Sequence, residues 1–219
     1  MNSKPTDYKL ELFEKLFGEE AQELYHDFRS KSRYYLKSEG EVLFQEGTSS
    51  NFVFLILDGS VRLQVKKGNS EEVILQFFGE GDLAGIMDVI QYQVYRSNAI
   101  VHSATAELCV IDKQNFFKIL SKRHHFALKL IHQMDKDTAD IESRAAFMNT
   151  QKVTNRISGA IQVLEKKFGK NAEGEINIEI SPSHIAKMVG ATRTSVYRSM
   201  KKLQELGELR FEQHKIILP

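Results

Sequence analysis

The chain has 219 residues, 42% of them hydrophobic and 27% charged, which is the balance of a folded globular protein and excludes wholesale disorder. Its net charge is only +1, but residues 151–219 hold 12 Lys/Arg against 7 Asp/Glu (+5), while residues 1–150 hold 18 against 22 (−4). A basic C-terminal piece on an acidic body points to two jobs, one of which can involve a polyanion.

The N-terminus, MNSKPTDYKL, lacks the apolar core of a signal peptide, and no stretch approaches the ~18 apolar residues of a membrane span, so a cytoplasmic protein is expected. Residues 8–29 predict helix: Leu10, Phe13, Leu16 and Phe17, then Leu24, Tyr25 and Phe28, recur at helical spacing, with Gly18 dividing two helices. From Tyr34 to Asp112 the apolar period falls to two. Strands are predicted at 34–36, 41–44, 52–57, 60–65, 73–78, 83–85, 98–103 and 107–111, separated by Gly- and Asp-rich breaks. Asp58-Gly59, between two apolar runs, reads as a hairpin turn. So many short strands argue for an antiparallel sandwich or jelly-roll barrel. Cys109, the one cysteine, lies in the apolar strand LCVI. It excludes a disulfide framework and a cysteine-ligated cluster within one chain, and reads as a buried small hydrophobe.

Residues 113–121 predict a short helix, and 124–148 a long one without Gly or Pro. In the long helix Ala127, Ile131, Met134, Thr138, Ile141, Ala145 and Met148 alternate spacings of four and three, a heptad seam. The helix can pack on its own domain, but a repeat this regular favours pairing with a second copy. Thr138 would then lower the stability of the seam while fixing its register.

The remaining residues predict a helix over 153–168, a strand over 175–180, and a helix from Ser181-Pro182 to about Val189 that stops at Gly190. Thr192 caps a last helix to Leu206, Gly207 ends it, and 208–211 and 215–218 can pair as a hairpin. Residues 183–206 thus read as helix, Gly turn, helix, packed through Ile185, Ala186, Val189, Val196, Met200 and Leu203. The second helix leaves Arg193, Thr194, Ser195, Tyr197, Arg198, Lys201 and Lys202 free for base edges and phosphates. A bland helix pair with a solvated basic face is the competing account; the basic excess and the flanking hairpin, placed as a wing, argue against it.

Three segments carry a resemblance: LDGSVRL at 57–63, GEGDLAG at 79–85 followed by Arg96-Ser97, and IAKMVGATRTSVYRSMKKLQELG at 185–207. In this order they resemble the cyclic-AMP receptor / fumarate-nitrate regulator (CRP/FNR) family of bacterial transcription factors. The resemblance implies an α+β chain in three parts. These are an antiparallel β-roll effector domain with N-terminal helices (1–122), a dimerisation helix and hinge (123–150) and a C-terminal winged helix-turn-helix (151–219). It implies a homodimer on palindromic double-stranded DNA, RNA polymerase as a partner, a small-molecule effector and no catalysis. Arg193 and Arg198 match the family's base- and backbone-contacting arginines, but Thr194 stands where the cyclic-AMP receptors carry a Glu that accepts from cytosine. Their half-site is therefore not expected.

By the same resemblance, Gly85, Ile86, Arg96, Ser97 and Ile141 occupy the effector positions. Arg96-Ser97 keeps the phosphate pair, yet Ile86 replaces the ribose-binding Glu, and Ile141-Glu142 replaces the Thr-Ser pair that meets adenine. Cyclic AMP is not expected as the effector, and no cofactor or metal is assigned. Arg96 can instead take another anion or pair with an acidic neighbour. His102, His124, His125 and His132 give haem or metal little support, and Phe77, Phe78, Phe116, Phe117 and Phe126 can line a pocket or simply fill a core. Two other functional classes are a sensing module whose winged helix meets a protein partner, and a cupin-type metal enzyme. The second lacks a ligand set on the strands.

Overall fold

The computed structural model describes residues 8–68, 71–148, 152–212 and 214–219. It divides into two compact units: residues up to Val65 with Leu75–Met134, and Lys66–Ile74 with Asp135–Pro219.

In the first unit, α1 (Tyr8–Phe17), a 3-10 turn (Gly18–Glu20) and α2 (Ala21–Lys31) precede β1 (Ser32–Ser38), β2 (Val42–Phe44), β3 (Phe52–Asp58) and β4 (Val61–Lys67). There follow β5 (Glu71–Phe78), β6 (Leu83–Ala84), α3 (Ile86–Gln91), β7 (Asn98–Val101), β8 (Thr105–Asp112), α4 (Lys113–Leu120) and α5 (His124–Met148). The strands form two four-stranded sheets, ordered β1-β8-β3-β6 and β2-β7-β4-β5. β3 pairs antiparallel with β8, with Leu55 opposite Cys109.

Both faces of β3 are buried, and its alternation sorts apolar residues between two cores. Val53, Leu55 and Leu57 join the layer under the helices, with Phe13, Phe28, Ile111 and Phe116. Phe54 and Ile56 point between the sheets, with Phe44, Phe78, Tyr95 and Leu108. The helical layer centres on aromatic rings: Phe126 lies 5.3 Å from Phe17, 6.0 Å from Phe28 and 6.1 Å from Phe116. Its edge-on contacts are the favourable aromatic geometry. They seat the first turn of α5. Glu20 Oε2 accepts from the Phe126 amide at 3.0 Å, satisfying one of the orphan donors of that turn. Arg123 pairs with Asp27 at 3.1 Å and also with Glu23.

Three expectations change. Asp58-Gly59 is not a hairpin: β3 and β4 belong to opposite sheets, so the turn is a corner between them. Gly59 has φ +81 and no room for a Cβ, which would overlap the Thr105 carbonyl and lie 2.6 Å from Ser103 Oγ. The local signal of a tight turn is the same for a hairpin and a corner; the distant β7–β8 segment decides. Residues 86–91, unassigned from the sequence, form α3. Residues 175–180 do not form a strand, although Ile176, Ile178 and Ile180 are all buried. The Ile176 and Ile180 amides bond the Ile216 and His214 carbonyls, but the Ile178 amide turns back on the Ile176 carbonyl at 2.7 Å and Asn171 Oδ1 accepts from the Glu175 amide, so isolated bridges at Lys170–Ile176 and Glu175–Ile217 stand where a ladder was expected.

In the second unit, α6 (Val153–Phe168), α7 (Pro182–Val189) and α8 (Arg193–Glu205) pack together beside the hairpin β9 (Arg210–Glu212) and β10 (Lys215–Ile217). The boundary between the units falls within α5, whose N-terminal part packs in the first and whose C-terminal part packs in the second. Gly159, inside α6, lets the Phe147 ring of α5 lie against the helix backbone. Lys166 and Lys167 then pair with Asp140 at 2.9 Å and Asp137 at 3.6 Å.

Candidate functional site

The helix-turn-helix is set by local chemistry. Ser181 Oγ accepts from the His184 amide at 3.2 Å and His184 Nδ1 accepts from the Ser181 amide, a reciprocal cap at the start of α7. Gly190 ends α7 in the left-handed region at φ +59, and Thr192 Oγ1 accepts from the Ser195 amide at 3.2 Å to open α8. Arg144 donates from Nη2 to the Met188 carbonyl at 2.7 Å, a cation on the C-terminal end of α7. Burial lowers the Arg144 pKa from its ordinary value.

All six expected packing residues, Ile185, Ala186, Val189, Val196, Met200 and Leu203, are buried. That fixes the rotation of α8. Arg193, Thr194, Tyr197, Arg198, Lys201 and Lys202 are exposed, Tyr197 to 68%, and Ser195 is half-buried beneath the Thr192 hydroxyl, 3.0 Å from it. One helix face is locked and the other presents cations, a hydroxyl and a phenol ring. That is the arrangement needed to enter a major groove.

The second set of residues surrounds α3. Gly85 precedes it with φ +82, and a Cβ there would lie 3.1 Å from Tyr95 Cε1 and 3.2 Å from Phe44 Cε1. The Phe44 and Tyr95 rings stack at 3.9 Å, and the Tyr95 hydroxyl donates to the Phe52 carbonyl at 2.6 Å. Burial raises the Tyr95 pKa to about 12. Ile86 is buried in the helical layer, and Ser97 is buried as well. Arg96 is half-exposed and donates from Nε to Asp88 Oδ1 at 2.7 Å, a bond that raises its pKa further. Its guanidinium lies 4.0 Å over the Tyr92 ring. Gly85, Ile86, Arg96 and Ser97 thus flank one short loop, whereas Ile141 belongs to the second unit. Sequence reasoning missed Asp88 and Tyr92; a lone carboxylate inside IMDVIQ was the available signal.

The seam residues of α5 divide by exposure. Ile131 and Ile141 are 60% and 57% exposed, Thr138 and Ala145 are exposed, and Ala127, Met134 and Met148 are half-buried. Leu128, outside the expected set, is exposed as well. Phe77, Phe78, Phe116 and Phe126 are buried core residues. Cys109 is buried, and burial pushes its thiol up to about 11. His102 is buried with its ring 4.8 Å from Phe77. Among the described residues no helix is long and apolar enough to cross a membrane.

Residues 37–123 match the cyclic nucleotide-binding domain family, and residues 155–219 match the Crp-like helix-turn-helix domain family. The chain is similar to the cAMP-activated global transcriptional regulator CRP of Salmonella typhimurium, at 24% identity over 184 residues and 82% of each chain. It is similar to the regulator of the same name in Pasteurella multocida, at 25% over 185 residues and again 82% of each. Among solved structures it resembles the c-di-GMP-responsive global regulator CLP of Xanthomonas campestris, with a TM-score of 0.75, 21% identity and 90% and 98% coverage of this and that chain. It also resembles FixK2 of Bradyrhizobium japonicum, with a TM-score of 0.75, 18% identity and 85% and 92% coverage. With a sensor-type β-roll, a helix-turn-helix whose outward face is cationic, and both domain families matched in this order, the chain belongs to the CRP/FNR family of DNA-binding transcription regulators.

Proposed function

We propose that the protein acts as a homodimer on palindromic promoter sites, reading each half-site with one copy of α8. The observation that carries this reading is the outward face of α8. Arg193 and Arg198 would address base edges and backbone, Thr194, Ser195 and Tyr197 would contact neighbouring bases or phosphates, and Lys201 and Lys202 would hold the phosphate backbone. Exposed apolar residues at heptad spacing support α5 as the dimer helix, with Ala127, Ile131, Met134, Thr138, Ile141, Ala145 and Met148 as its seam. Two recognition helices related by that seam would meet half-sites one DNA turn, ~34 Å, apart. The three-part division into 1–122, 123–150 and 151–219 serves this mechanism, as do a cytoplasmic location and RNA polymerase as the partner on the promoter.

The effector that would bias the packing of α5 is not cyclic AMP. The family's nucleotide does not fit the residues here. Ile86 offers no acceptor to a ribose and is turned into the core, and the guanidinium at the phosphate position already has a carboxylate on it. The test is binding to a palindromic promoter fragment across a salt series. Sequence-selective affinity that falls steeply with salt is expected, and affinity independent of both sequence and salt refutes the reading.

A further inference from the structure

The α3 loop carries a charge arrangement that DNA reading does not use. Asp88 is a carboxylate in an otherwise largely apolar run, and it is 6% exposed. A buried carboxylate without a counter-charge is strongly disfavoured. Asp88 finds its counter-charge eight residues on. Oδ1 accepts from Arg96 Nε at 2.7 Å, and Oδ2 lies 3.4 Å from the Arg96 amide nitrogen. The guanidinium face is covered by Tyr92 at 4.0 Å, a cation–π contact from the same loop. Ser50 Oγ donates to the carbonyls of Asp88 and Tyr92, at 3.1 and 2.9 Å, pinning the last turn of α3 to the start of β3. The segment 86–97 is therefore closed by its own carboxylate, its own cation and its own ring. The pair sums to zero charge. A phosphate or carboxylate approaching Arg96 would meet the Asp88 oxygens beside it, and the repulsion would offset much of the attraction.

We propose that Asp88 is the built-in counter-anion of Arg96, filling the role an anionic effector would fill, so that the sensor loop is ordered without one. This deepens the reading of the β-roll as the sensing half of a DNA-binding regulator and rests on it. Asp88 acts here as a positioning residue: it fixes Arg96 and, through Arg96 and Tyr92, the path of the chain from α3 into β7. An effector that does act on this domain would have to be recognised elsewhere, by groups other than the Arg96 guanidinium.

Hydrogen exchange of the backbone amides in 86–97 tests the proposal on the full-length protein, with exchange in β3 and β8 as the reference for global unfolding. Wild type is compared with Asp88→Asn, Asp88→Ala, Arg96→Gln and the Asp88→Asn/Arg96→Gln double variant, with and without cyclic AMP or inorganic phosphate. Each single variant should accelerate exchange in 86–97 by about tenfold relative to the reference, the loss expected for one charge-assisted hydrogen bond. The double variant should be no faster than either single one, because both remove the same interaction. Neither probe should slow exchange in the wild type. Two results overturn the proposal: a double variant whose acceleration is the product of the two singles, or wild-type protection by either probe that Arg96→Gln abolishes. Unchanged exchange in both Asp88 variants overturns it as well. Operator binding measured in parallel without nucleotide keeps the two readings apart. Affinity independent of both sequence and salt refutes the DNA-binding reading, while the role of Asp88 still stands or falls on the exchange rates alone.

Discussion

Gly159→Ala sets two effects of known sign against each other. Replacing glycine by alanine inside a helix gains about 1 kcal/mol of helix propensity. At this position the new Cβ would lie 2.5 Å from Cγ and Cδ1 of Phe147 and 2.9 Å from its Cβ. Ring rotation about χ2 moves Cδ1 but not Cγ, and even a change of χ1 leaves Cβ in place, so α5 and α6 must move apart. Overpacking of this kind costs about 1–3 kcal/mol. At the middle of that range the clash wins by about 1 kcal/mol, which lowers the Tm by about 2–4 °C for a chain of this size. Thermal and denaturant unfolding measure it. The same substitution in a Phe147→Ala background should reverse sign and stabilise by about 1 kcal/mol, since nothing then opposes the propensity gain. If Gly159→Ala stabilises the protein with Phe147 in place, α5 and α6 do not approach each other this closely and the reasoning is refuted.

Arg193→Ala should cost about 1–3 kcal/mol on the preferred operator and relax the base preference at one position of each half-site. Lys201→Ala should weaken all sequences alike and reduce the slope of log K against log salt by about 1; a sequence-dependent loss would remove Lys201 from the phosphate set. Ile131→Glu puts a charge at a position 60% exposed in one copy and should shift sedimentation from dimer to monomer; an unchanged dimer would reject the α5 seam. Cys109, buried with its thiol raised to about 11, should resist maleimide at pH 8 in the native protein and react promptly after unfolding. Fast native labelling would contradict its burial.

How far the sequence could be read followed how local each cause is. The bounds of α7 and α8 came straight from the sequence, because Ser181, Gly190 and Thr192 act within four residues of the ends they set. Most of the strands were found by period two, a property of each segment alone. Sheet membership was not, because β3 is assigned by β8, about fifty residues away, and no residue at Asp58-Gly59 records that. α3 escaped because six residues are too short to show a helical period and its last turn is tied by Ser50 from another segment. Residues 175–180 show the reverse: the alternation of Ile176, Ile178 and Ile180 was real, but the Ile178 amide turns back on the Ile176 carbonyl and the Asn171 side chain takes the Glu175 amide, so the ladder is interrupted. The same distinction holds at the sensor loop. Arg96 was visible as a cation at a family position, while its partner Asp88 became visible only once α3 brought the two together.

The Glu20 carboxylate on the Phe126 amide has a consequence for modularity. The long helix begins under residues contributed by the α1–α2 junction, and its first aromatic is enclosed by Phe17 and Phe28. A β-roll transplanted between relatives without its N-terminal helices would deliver α5 without the Glu20 cap on its first turn and with Phe126 stripped of Phe17 and Phe28, leaving Phe116 as its aromatic neighbour. The portable module for building chimaeric regulators is therefore the whole first unit, grafted at the α5 boundary between Met134 and Asp135, and not the barrel by itself.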